Sequence, residues 1–200
     1  MAVRSKTTIF NAALVRTGHS EDQNGSALWE ALDANYDEIV RGAFEDGDGV
    51  YPFGKARVSL TSRTSGTLGY EDAYALPSDV IHIIEVYLNG YAAADLLEDW
   101  EIDGVNNRLE VDAKQRPVEI EYVKEGLEYR WSARFALGVQ RRLEAVIKDV
   151  LEETEEAAMK EQEADLQFMK GSVKASKNRS QRRVAKKYGG RLTRARRGQR

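Results

Sequence analysis

Asp46-Gly47-Asp48-Gly49 sets two carboxylates in a glycine-rich turn, which is how a calcium-binding loop begins. Such a loop needs an acid or amide at its fifth position, Gly at its sixth and Glu at its twelfth. Those positions hold Val50, Tyr51 and Arg57, so the segment reads as a turn and nothing more. The only two histidines are His19, in a polar stretch, and His82, inside an apolar run. They are far apart in sequence and neither belongs to a ligand cluster. His82 reads as a strand residue facing a neighbour or a partner. From Glu152 to Glu163 carboxylates recur at i, i+3 and i, i+4, as in di-metal helical proteins. The Glu-x-x-His element those proteins require is missing, which leaves a solvated helix face. No P-loop, dinucleotide fingerprint, nucleophile elbow or zinc pattern occurs. With no cysteine, thiolate metal and redox sites and disulfide staples are excluded. The expectation is no catalytic residue, no metal, no cofactor and no enzyme.

The charge distribution is the unusual feature. Thirteen of the 30 Lys and Arg fall at 170–200, a segment without a single acid. The remaining 17 face all 33 acids, a net charge of −16 over 1–169. An acidic body with a basic arm predicts a charged partner. Either nucleic acid or an acidic protein surface would meet it. Tyr188 is the arm's one aromatic residue, so base stacking has little support.

These residues need elements to position them. Ser5 to Gly18 predicts an opening helix with Ile9, Phe10, Ala13 and Leu14 inward, and 26–45 predicts a second through Leu28, Leu32, Tyr36, Ile39 and Ala43. The period then changes. Ala56 to Thr61, Leu109 to Asp112 and Val118 to Val123 alternate as half-buried strands, while Val80 to Leu88 is apolar on both faces and suits a central strand. A small antiparallel sheet over about 55–125, inserted between helices, follows. From Ser132 a stripe of Phe135, Val139, Leu143, Val146, Ile147, Val150 and Leu151 predicts a long helix over 132–169. One rod of that length would span about 55 Å, so a break is expected near Thr154. The fold class is therefore α+β: a helical bundle with an inserted small antiparallel β-region, a long C-terminal helix and an extended basic tail. No stretch reaches the roughly 20 apolar residues of a membrane span, and Met1 to Thr8 lacks the apolar core of a signal peptide.

Several segments also share a pattern. Ile9-Phe10-Asn11-Ala12-Ala13-Leu14-Val15-Arg16-Thr17-Gly18 is similar to an Asn-x-Ala-Leu-x-x-Leu-Gly helix, and Tyr51-Pro52-Phe53-Gly54 to a Pro-Trp-x-Phe-Ala segment leading into a strand. Tyr74-Ala75-Leu76-Pro77-Ser78-Asp79 precedes a strand and then Asn89-Gly90. Ile120-Glu121-Tyr122-Val123 leads on to Trp131-Ser132-Ala133-Arg134-Phe135-Ala136. In this order they resemble the tail tubular protein A and head-to-tail connector (adaptor) proteins of tailed phages and gene transfer agents. Pro77 fixes its own φ and drives Leu76 extended, and Asp79 is placed to cap the turn into the strand.

The resemblance implies a structural virion protein at the head-tail junction, assembled in the bacterial host cytoplasm. It would form a ring of about twelve copies between the portal and a downstream tail or stopper protein, with DNA passing through unread and no membrane involved. Residues 1–169 would be the adaptor body and 170–200 a docking arm. Lys186, Lys187, Arg191, Arg194, Arg196 and Arg197 are the residues expected to grip the portal. The alternative is a nucleic-acid-binding module with a disordered basic arm.

Overall fold

The structure, a computed structural model, describes residues 4–20, 25–47 and 49–197, with side chains as far as Ser176. Four helices and two antiparallel sheets make it an α+β protein. The chain divides into a helical unit, 1–36 with 131–200, and a β unit, 37–130.

In the helical unit, α1 (Lys6–Arg16) starts from a reciprocal cap. Ser5 Oγ accepts from Thr8 N at 3.3 Å and Thr8 Oγ1 accepts from Ser5 N at 2.8 Å. It ends where Gly18, at φ 88, lets His19 N donate to Leu14 O at 2.9 Å. Phe10 meets Trp29 and Tyr36 of α2 (Ala27–Asp46) edge-on, at ring separations of 5.1 and 5.5 Å. α3 (Ala133–Val150) is capped by Ser132 Oγ, which accepts from Phe135 N at 3.2 Å.

The break expected near Thr154 is present. Glu152 adopts φ 63, and Glu153 N donates back to Lys148 O at 2.9 Å before α4 (Thr154–Arg197) begins. Two features differ from the sequence reading. The apolar stripe of α3 stops early: Val150 and Leu151, at the elbow, are exposed. α4 also continues past Gly171 as helix, where an extended tail is expected. Its Lys, Arg, Ala and Gln are strong helix formers, and no proline interrupts them.

The β unit has two four-stranded sheets where the sequence suggests one. Sheet one runs β1 (Lys55–Leu60), β8 (Val118–Val123), β4 (His82–Leu88), β5 (Tyr91–Ala92). Sheet two runs β2 (Arg63–Ser65), β3 (Asp72–Ala75), β7 (Arg108–Val111), β6 (Trp100–Asp103). All pairings are antiparallel. β4 is interior, as its two-sided apolar character predicts. Leu88, Leu109, Val111, Val118 and Ile120 are fully buried in one shared core. Asn89 and Gly90, both at positive φ, turn β4 into β5.

Candidate docking surface

α3 and α4 run antiparallel, held by a ladder of polar pairs. Arg134 Nη1 donates to Gln167 Oε1 at 3.2 Å, Arg141 pairs with Glu163 at 3.1 Å, and Arg142 with Asp165 at 2.8 Å. Nearer the elbow Lys148 pairs with Glu156 at 2.8 Å and also binds Glu153. The hydrogen bonds that Lys148 donates to Glu153, then Glu156, raise its pKa, and the bond to Lys148 chiefly lowers that of Glu156. The Glu152 to Glu163 run is therefore only partly a solvated face, because Glu153, Glu156 and Glu163 reach back to α3.

One acid of the ladder sits on α3 itself. Glu144 is 1% exposed and accepts from Gln140 Nε2 at 3.0 Å and from Arg141 Nη1, with Lys160 Nζ at 3.7 Å. Gln140 also donates to Ala12 O at 3.3 Å, which ties α1 to the same knot. A buried carboxylate with this many donors is a structural fastening.

At the end of the ladder away from the elbow lies an open groove of about 370 Å³, lined by Arg134, Met169, Lys170, Val173 and Lys174. Its floor is apolar and its rim is cationic. This is the proximal part of the basic segment. The sequence signal was available: Met169 and Val173, and Lys170 and Lys174, are each i, i+4 pairs that share one side of α4. The residues singled out from sequence lie further out. Lys186, Lys187, Arg191, Arg194, Arg196 and Arg197 fall on helical backbone, and their side chains lie outside the described residues.

No family model matches the chain, and no curated protein matches it. The remaining residues with chemical potential have structural work in the β unit. Glu110 accepts from Thr67 N, Thr67 Oγ1 at 2.7 Å and Leu68 N at 2.6 Å. Desolvation would raise its pKa, but these bonds outweigh it and hold the carboxyl below its usual range. Asp72 binds Arg63 and accepts from Ala113 N at 3.1 Å. Asp103 closes the β6–β7 turn on Val105 N and Asn106 N.

Asp79 corrects an expectation. It does not cap its own turn, which Val80 N closes on Pro77 O at 3.3 Å. Its carboxylate instead reaches over to β8 and the residue beyond, accepting from Tyr122 Oη at 3.2 Å and Lys124 Nζ at 3.0 Å. The bond to Lys124 is the largest influence on Asp79 and lowers its pKa; the same bond raises that of Lys124. The Tyr51-Pro52-Phe53 segment has a packing role. Its rings stack at 5.4 Å and present edges to Phe44 at 6.4 and 5.9 Å. Burial, then Asp46, pushes the Tyr51 phenol up to about 12.

His82 is exposed on β4, and Thr17 Oγ1 lies 3.2 Å from His19 Nδ1. Among the described residues no group of three or more His, Asp and Glu is placed to hold a metal ion, and no helix is long and apolar enough to cross a membrane. Asp48 of the glycine-rich turn lies outside the described residues.

Proposed function

We propose that this chain is a non-enzymatic head-to-tail adaptor of a tailed phage or gene transfer agent. It would act as one member of a ring, of about twelve copies, seated between the portal and a downstream tail or stopper protein. The observation that carries the reading is the insertion. A β unit, 37–130, interrupts a helical unit built from both ends of the chain. That is the arrangement implied by the resemblance through Leu76-Pro77-Ser78-Asp79 and its ordered neighbours. Several side chains of those motifs have packing or fastening roles: Phe10 on Trp29 and Tyr36, Phe53 on Phe44, and Asp79 on Tyr122 and Lys124, which suits a signature that encodes a fold.

The division of charge gives each part a task. An acidic body around a channel repels phosphate, so DNA slides through without being read. A basic wall would instead hold DNA, each neutralised phosphate adding about 0.9 to the salt dependence. Carboxylates do gather on the β unit: the Tyr70 phenol is raised by desolvation and by Glu101, Asp99, Asp112 and Glu110. The distal part of the basic arm then docks on an acidic part of the portal, with Lys186, Lys187, Arg191, Arg194, Arg196 and Arg197 as anchors. Assembly in the bacterial host cytoplasm and residence at the virion's head-tail vertex follow from this role.

Electron microscopy of purified particles carrying a labelled chain tests the reading: label at the head-tail vertex is expected, and label elsewhere overturns it. Deleting Lys177 to Arg200 should abolish portal attachment and leave a folded body; normal particle assembly by that truncation removes the docking role. The single charge sign of 170–200 favours one competitor, a nucleic-acid-binding module. It requires the isolated chain to bind DNA with the steep salt dependence of several phosphate contacts.

A further inference from the structure

The two ends of the α3–α4 pair carry opposite chemistry. At the elbow, Val150 and Leu151 are 46% and 39% exposed. Asp149, Glu152 and Glu155 surround them, exposed and without an ion pair among the described residues. At the other end the groove exposes Met169 and Val173, 61% and 48%, framed by Arg134, Lys170 and Lys174. Lys170 and Lys174 have no ion pair among the described residues. An apolar pair with three acids thus lies at the opposite end of the α3–α4 pair from an apolar pair with three bases. They cannot meet within one chain, because α4 rises about 24 Å between Thr154 and Lys170. Met159 and Leu166, also exposed, continue the Met169–Val173 stripe toward the elbow at heptad spacing.

We propose that the groove receives the elbow of a second copy of this chain: Val150 and Leu151 cover Met169 and Val173, while the elbow acids meet Arg134, Lys170 and Lys174. The contact joins two different patches, so it is head-to-tail. Such contacts close into a ring when the rotation between copies permits, and otherwise grow as a filament. This deepens the ring reading and rests on it only for closure; the complementarity stands on the two surfaces themselves.

The chain has no cysteine, which makes the test clean. Oxidising an equimolar mixture of Leu151→Cys and Val173→Cys chains should give a disulfide-linked heterodimer, with each variant alone giving no disulfide-linked dimer. Adding Lys170→Glu and Lys174→Glu to the second chain should cut the yield roughly tenfold or more. Adding Glu152→Lys and Glu155→Lys to the first should restore it. In sedimentation, the wild-type mass should rise with concentration, and the Lys170→Glu, Lys174→Glu chain should stay monomeric. A wild-type chain that is monomeric throughout overturns the contact. So does equal cross-linking by either cysteine variant alone, which means a two-fold pairing or random collision. Neither result touches the vertex-labelling test, so the contact and the adaptor role fail separately.

Discussion

Replacing Gly138 by Ala should change sign according to what stands at position 168. Gly138 is buried on α3, and a Cβ built there falls 2.6 Å from Phe168 Cε1 and 2.8 Å from Cδ1 and Cζ. Carbon atoms prefer about 3.5–4.0 Å, so the methyl would overlap the ring by about 1 Å. Phe168 also meets Phe135 edge-on at 5.6 Å, which resists simple rotation away. Overpacking of this kind costs about 1–3 kcal/mol. Against it, Ala in a helix interior is favoured over Gly by about 1 kcal/mol. In the wild-type background the overlap should win, and Gly138→Ala should destabilise by up to about 2 kcal/mol. With Phe168→Ala in place the overlap is gone, and the same substitution should stabilise by about 1 kcal/mol. Urea unfolding of the four chains, followed by helical circular dichroism, gives the cycle directly. At this length about 1 kcal/mol corresponds to about 2–4 °C in Tm. The same sign in both backgrounds refutes the close packing of α4 on α3 at this point.

Glu144→Ala leaves Arg141 and Gln140 short of a buried acceptor and should destabilise by about 1–3 kcal/mol, read as a lower urea midpoint; Glu144→Gln should lose less. Glu152→Gly relieves a left-handed conformation that side chains tolerate poorly, and a gain of about 1 kcal/mol is expected in the same assay. The Asp79–Lys124 bond sets a pH window. Because the folded Asp79 titrates below its ordinary range, its contribution is complete above about pH 4 and fades as pH falls further. Lys124 titrates high, so its share fades only as pH rises beyond the ordinary lysine range. Lys124→Met should flatten both limbs of a stability-against-pH curve, and an unchanged acid limb would refute the bond.

What could be read from sequence was whatever repeats. α1, α2 and α3 announce themselves through caps and a 3.6-residue stripe, and β1, β4, β7 and β8 through alternation or continuous apolar character. β2 is missed because Arg63–Ser65 is exposed throughout and has no face to show. β3 is missed because Asp72 opens it, and only the structure reveals the Arg63 and Ala113 partners that let an acid be buried there. The second sheet was hidden for that reason. The end of the α3 stripe misled in the opposite direction: Val150 and Leu151 have the right period and still face outward. Of the docking surface, the basic charge was plain. The apolar floor of the groove was overlooked: the i, i+4 spacing of Met169 and Val173 was there to read, but not their meeting with Arg134, distant in sequence.

The α3–α4 ladder has one rung reversed, and that asymmetry acts as a key. Arg141, Arg142 and Lys148 put cations on α3 opposite anions on α4, whereas Glu144 faces Lys160. With uniform rungs, α4 could slide by a turn and still find partners. With the reversed rung, sliding one way sets Glu144 against Glu156, and sliding the other sets Lys148 against Lys160, like charges in both cases. The buried apolar side chains of α4 are small, Ala157 and Ala164, so packing alone fixes its position weakly. A single inverted pair therefore gives it one place to stop, and with it one fixed distance by which the basic arm projects.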